Sequence, residues 1–364
     1  MAVVPKHYNS KGSAPVNKIY MLVLPSQEER RVDSNGDPDV SALLLLDAPP
    51  VQRELTGAMI DTQLDGLDKD LRRSGSKGKL VRAQFRSQRG PGAMTWLSAP
   101  AGQISPTNAA IMVMVSVMVD PYRLSGDTCP FSRENRCGAT DGPTCVHAIG
   151  CPHQHIRGHV ATHKQLKRCL QRSLTRCNAS WWTNEDTSVF RKSGFKMDTV
   201  LAPGALSLAS DEEYAMKGVL LDNSIRAPTA RIYLDPPARD GKGAAFESGF
   251  AAKKGEKDKI KHYITDSQSF DTDRWVLVPF VQESFGRFGK AALNFIRILA
   301  SHSAACRGGN VAVIQRRQGI ITRQILTQLS LCLARELGER VQAYMRGAIM
   351  AGRRTDPVSA LLRP

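Results

Sequence analysis

The chain has 364 residues, 41% of them hydrophobic, which excludes disorder throughout and leaves room for two or three domains with buried cores. Lysine and arginine outnumber aspartate and glutamate 50 to 34, a formal charge of +16, which favours polyanionic partners, DNA or RNA. The longest charge-free apolar stretch, Ala109 to Val119, is about half the ~20 residues a membrane span needs, and MAVVPKHYNSKGS at the start has no apolar run of the secretory kind. The expectation is a nuclear or otherwise intracellular protein, neither secreted nor bound to a membrane.

Residues 1–54 mix Pro, Ser, Gly and charge around one apolar patch at Ala42 to Leu46, which predicts a poorly ordered start. In a helical linker region over 55–125, apolar residues recur at helical intervals from Leu55 to Leu71. The basic, breaker-rich Arg73 to Lys79 then interrupts them, predicting a helical hairpin. GPGAMTWLSAP (Gly90 to Pro100) reads as a turn followed by an aromatic anchor. Ser105 to Asn108 reads as the cap of an apolar helix over Ala109 to Val119.

Six of the eight cysteines fall between Cys129 and Cys177, interleaved with histidines, a pattern better explained by metal than by disulfides in such a chain. A zinc module is expected over 126–160. Zinc takes four thiolate or imidazole donors tetrahedrally, and the preferred set is Cys129, Cys137, His147 and Cys151, with Cys145 in reserve. Cys129 and Cys137 stand farther apart than the two to four residues usual in a knuckle. His153, His155 and His159 are open between a second site, phosphate contacts and plain surface.

A domain over 161–305 follows. His163 to Arg176 is helix-like, with Leu166, Leu170 and Leu174 on one face. MDTVLA and KGVLLDNSI read as two strands of one small sheet. Phe246 to Tyr263 reads as a charged helix, Thr272 to Val281 as a buried strand, and Phe288 to Ser301 as an amphipathic helix. The order α-β-β-α-β-α gives an α/β (α+β) fold class, a small mixed sheet flanked by helices. After a break at Arg307 to Asn310, the C-terminal region 306–364 carries one or two helices over Ile320 to Met345 with a basic exposed face.

Taken in order, these features resemble the C-terminal portion of non-LTR retrotransposon polyproteins, a Cys-Cys-His-Cys knuckle followed by a restriction-enzyme-like endonuclease. The resemblance covers roughly Leu55 to Met345. GPGAMTWLSAP is similar to the family's segment before the knuckle, and Cys129, Cys137, His147-Ala148 and Cys151 match the knuckle in order. Thr162-His163 stands where the family has Arg-His. Met197-Asp198 stands where it has Pro-Asp, and Asp222-Asn223-Ser224 matches its second aspartate strand. Lys259 or Lys261 aligns with its lysine and Tyr263 with its tyrosine, and VPFVQESFGRFGKAALNFIRILA is the most specific match.

The resemblance implies structural Zn²⁺ and catalytic Mg²⁺. Magnesium binds through one or two carboxylates plus substrate oxygens, so Asp198 and Asp222 are the candidate ligands, with Lys259 or Lys261 stabilising charge at the phosphate. His163, with Arg157 and His159 before it, would contact nucleic acid. No Tyr-x-Asp-Asp polymerase signature occurs, so the reverse transcriptase region of such an element would be a separate partner. The expected function is a DNA endonuclease serving retrotransposition. The alternatives are a catalytically inactive zinc-knuckle protein that binds DNA or RNA, a decayed copy, and a zinc-stabilised protein-interaction module.

Overall fold

The computed structural model describes residues 62, 65–73, 75–100, 102–116, 146–150, 159–182, 195–236, 242–267 and 270–350. The predicted start over 1–54 lies outside them. The chain divides into two compact units, residues 1–78 and 79–364. In the first, residues 65–73 are helical.

Helix α1 (Gly75–Gln88) starts inside the predicted break at Arg73 to Lys79: Gly75 takes φ +64°, and the lysines and leucine that follow are good helix formers. The turn and anchor at Gly90 to Pro100 are present: Gly92 takes φ +79°, a 3-10 helix covers Thr95–Ser98, and Trp96 is buried. Helix α2 (Pro106–Ser116) begins on proline, and Ser105 Oγ accepts the Asn108 N–H at 3.2 Å, satisfying one donor of the first turn.

A short α3 (Val146–Gly150) precedes α4 (His159–Arg176). Leu166, Leu170 and Leu174 of α4 are buried because residues four apart stack on one helix face. Truncating Leu170, which is fully buried, would cost about 2–5 kcal/mol. Cys169 and Cys177 are also buried, which corrects the metal-directed reading for these two: they are core thiols.

Strands β1 (Trp181–Trp182), β2 (Thr199–Leu201), β3 (Gly218–Arg226) and β4 (Trp275–Glu283) form one sheet in the order β1-β2-β3-β4. Helix α5 (Glu212–Met216) joins β2 to β3, and α6 (Arg231–Leu234) and α7 (Phe250–Ile260) join β3 to β4. The first three strands are antiparallel. β4 runs parallel to β3 from Gly218↔Trp275 to Arg226↔Glu283, a pairing that needs a crossover, here supplied by α7. The observed order therefore inserts β1 into the predicted one. Two residues are too few to show a strand's period-2 pattern.

Val219, Leu221 and Val278 face a large core with α4, α8 (Lys290–Cys306) and α9 (Val311–Met350), whereas Leu220 and Val200 join Met197, Tyr263 and Trp275 on the other side. α9 is a single 40-residue helix beginning nine residues before the predicted Ile320. Leu329, Leu337, Val341 and Tyr344 bury its inner stripe. Among the described residues no helix is long and apolar enough to cross a membrane.

Two carboxylates lock α7 in place. Glu283, at the end of β4 and only 1% exposed, accepts the Ala252 N–H at 3.1 Å and so closes the N-terminus of α7, which has no side-chain cap of its own. Glu256 of α7 in turn accepts the Ala291 N–H at 2.8 Å and closes α8. Gly289 makes room for it: a Cβ there would meet Glu256 Oε1 at 2.3 Å. Gly286 takes φ +102° beside the Ala93 backbone, and Phe285 and Phe288 enter the core. ESFGRFGK, within the most specific stretch of the sequence, is thus a structural latch.

Candidate active site

The site forms where β2 and β3 meet the start of α4 and the end of α7. Extending the β2·β3 register one step beyond Thr199↔Leu221 sets Asp198 across from Asp222, and opposed side chains of an antiparallel pair lie about 5 Å apart at Cβ.

Asp198 is held from two directions. Its Oδ2 accepts the Asn223 N–H at 2.9 Å and lies 3.0 Å from His163 Nε2, which is also 3.1 Å from the Asn223 carbonyl. Both ring neighbours accept, so Nε2 carries a proton. Oδ1 lies 3.4 Å from Lys167 Nζ. His163 and Lys167 are one turn apart on α4 and project together.

Asp222 sits deeper, with its carboxylate 2.6 Å from Lys259 Nζ. Tyr263, one turn after Lys259, donates its hydroxyl to the Lys196 carbonyl at 3.0 Å. Lys259 Nζ stands 5.9 Å from the Tyr263 ring centroid, within cation–π range. Directly after Ile260 the helix widens into a π-helical turn, Lys261–Asp266, a distortion frequent at functional sites. Lys261, in that turn, is exposed, so of the two candidate lysines Lys259 is the one that reaches a carboxylate.

The two aspartates titrate in opposite directions. Burial raises Asp222, the nearby Asp198 charge adds to this, and Lys259 opposes without cancelling it. Burial also acts to raise Asp198, but the His163 hydrogen bond and charge, the Asn223 N–H and Lys167 outweigh it and hold the carboxyl below its ordinary value. The hydrogen bond that His163 donates to Asp198 is the largest cause raising His163, against burial. Burial, then the Asp222 carboxylate, push the Tyr263 hydroxyl up, so it stays a donor.

The site thus brings together His163, Asp198, Asp222, Lys259 and Tyr263. Sequence reading missed Lys167, although its i+4 spacing from His163 on a predicted helix was a usable signal. Cys129, Cys137, Cys145, Cys151 and Arg157 lie outside the described residues, as does the side chain of His159. His147 is described: it is half-buried in α3, its ring 6.0 Å from that of Tyr344. Among the described residues no group of three or more His, Cys, Asp or Glu is placed to hold a metal, and a two-carboxylate magnesium site would form no such group. Compared with protein-family models and with curated proteins, the chain finds no match.

Proposed function

We propose that the chain is a Mg²⁺-dependent DNA endonuclease module with a restriction-enzyme-like core and a zinc knuckle ahead of it, derived from a retroelement. The carrying observation is the convergence of Asp198, which immediately precedes β2, and Asp222 of β3, one register step beyond Thr199↔Leu221, with Lys259 2.6 Å from Asp222. The order α4-β1-β2-β3-α7-β4 around a small mixed sheet supports the reading. The zinc part rests on the density of cysteine and histidine in the sequence.

The donor set fits magnesium, which asks for one or two carboxylates and takes its remaining oxygens from water and substrate. Asp198 and Asp222 would hold it. When bound, Mg²⁺ supplies charge neutralisation at the phosphate and an activated water. Lys259, displaced from Asp222 by only a side-chain rotation, would stabilise charge on the phosphoryl oxygens. Tyr263 ties the end of the α7 region to the Lys196 carbonyl beside the site, and His163 and Lys167 would present protons to a flanking phosphate.

Nicking of supercoiled plasmid tests the reading. The expected result is cleavage that requires Mg²⁺ and disappears both in EDTA and in an Asp198→Ala/Asp222→Ala double variant. Nicking that survives either treatment sinks the mechanism. One observation favours the second reading, a binding protein without catalysis: both oxygens of Asp198 already have protein donors. Steeply salt-dependent DNA binding with no cleavage under any divalent cation would select it.

A further inference from the structure

The outer face of α4 carries Lys164, Arg168, Arg172 and Arg176, all exposed and spaced four residues apart. At 1.5 Å per residue they form a ridge about 18 Å long. The helix has no acidic residue anywhere, and among the described residues none of the four cations forms an ion pair. Their one described polar contact is local, Arg172 Nε donating to the Arg168 carbonyl at 3.3 Å.

This arrangement costs stability. Like charges at i,i+4 repel by a few tenths of a kcal/mol per pair. Other cations on or beside helices have acidic partners: Lys217 with Glu213 at 2.9 Å, Lys253 with Glu247 at 2.6 Å and Lys254 with Asp258 at 3.9 Å. An unpaired like-charge ridge is stabilised by an outside polyanion.

The ridge has a position as well as a charge. Lys164 and Arg168 each follow directly on His163 and Lys167, the two residues that hold Asp198, so the ridge runs alongside the inward-facing pair and away from the site. The field continues past α4. Cys169 lies below its ordinary pKa first because of a hydrogen bond with Cys332, and then because Arg172, Arg176 and Arg335 of α9 all surround it with positive charge.

The geometry points to this ridge as the track for the sugar-phosphate backbone of the DNA substrate, with Lys164 nearest the scissile phosphate and Arg176 farthest from it. The inference rests on the phosphodiesterase reading above for the identity of the polyanion, and its test is separable from that reading.

The experiment uses the full chain in EDTA, so that no cleavage occurs, with duplex DNA titrated by fluorescence anisotropy across a series of salt concentrations. In Lys164→Gln/Arg168→Gln/Arg172→Gln/Arg176→Gln the helix propensity is kept. Each lost phosphate contact should remove about one unit from the log K against log salt slope, roughly four in all. The overturning result is an unchanged slope in a quadruple variant whose circular dichroism and thermal midpoint match wild type. So is an equal loss per charge in Arg316→Gln/Arg323→Gln on the exposed face of α9, which would show diffuse charge and no track, and so is binding to anionic vesicles without binding to DNA. If wild type never nicks plasmid but the quadruple variant loses slope, the nuclease reading falls and the track stands. If wild type nicks and the slope is unchanged, the track falls alone.

Discussion

Lys259 Nζ lies 2.6 Å from the Asp222 carboxylate, an ion pair at the back of the site between the end of α7 and the middle of β3. Burial raises the Asp222 pKa and Lys259 is the main force opposing it. Only the ionised carboxylate can hold a divalent cation. Lys259→Met should therefore lower plasmid nicking about a hundredfold or more and shift the acid limb of the pH–rate profile upward. Lys259→Arg should restore most of the acid limb and less of the rate. An acid limb unmoved in Lys259→Met would remove the lysine from the site's electrostatics.

His163 and Asp198 give a stability signature with a defined pH window. His163 is raised above 6.5, so its contribution is full below 6.5 and fades as pH rises through its folded value. Asp198 is lowered below 3.8, so its contribution is present above 3.8 and fades as pH falls through its folded value. The stability difference between wild type and His163→Ala should be largest between about pH 4 and 6.5, at about 1 kcal/mol, and should shrink on the alkaline side. Urea midpoints across pH measure it. A difference flat with pH would contradict the pairing.

Glu283 holds the N-terminus of α7 from another element, and Arg287 lies 4.0 Å from it. Removing the carboxylate leaves buried N–H donors and a guanidinium uncompensated, so Glu283→Ala should cost about 3 kcal/mol and Glu283→Gln about 1 kcal/mol. Because α7 carries Lys259 and Tyr263, residual nicking should fall with the stability. Thermal melts and nicking rates on the same samples check both.

The zinc reading makes a stoichiometric statement. Purified protein should carry about one zinc per chain by atomic absorption, and Cys129→Ser/Cys137→Ser should lose it together with folding cooperativity. Cys169→Ser, a change in a core thiol, should keep the metal. Metal-free protein with unchanged melting would end the knuckle assignment.

The sequence by itself determined the elements whose signals are local. The Leu166, Leu170, Leu174 stripe specifies α4 and its buried face, and Ser105 before Pro106 specifies the start of α2. Apolar runs around Leu220 and Val278 specify the buried strands, because a strand covered on both faces needs a continuous apolar string. The candidate carboxylates, the histidine and the tyrosine were legible through their order along the chain.

Only the tertiary structure decided what depends on distant contacts. β1 exists because Trp181 pairs with Leu201, a preference too short to register in two residues. Lys259 and not Lys261 meets Asp222, because α7 stays α-helical through Ile260 and widens only afterwards. Lys167 joins the site because α4 crosses the sheet beside Asp198, and Glu283 becomes a helix cap because β4 ends where α7 begins. Spacing along a chain fixes which residues share a face. Which faces meet is settled by the packing of the whole core, and the chemistry of this site lies at such a meeting.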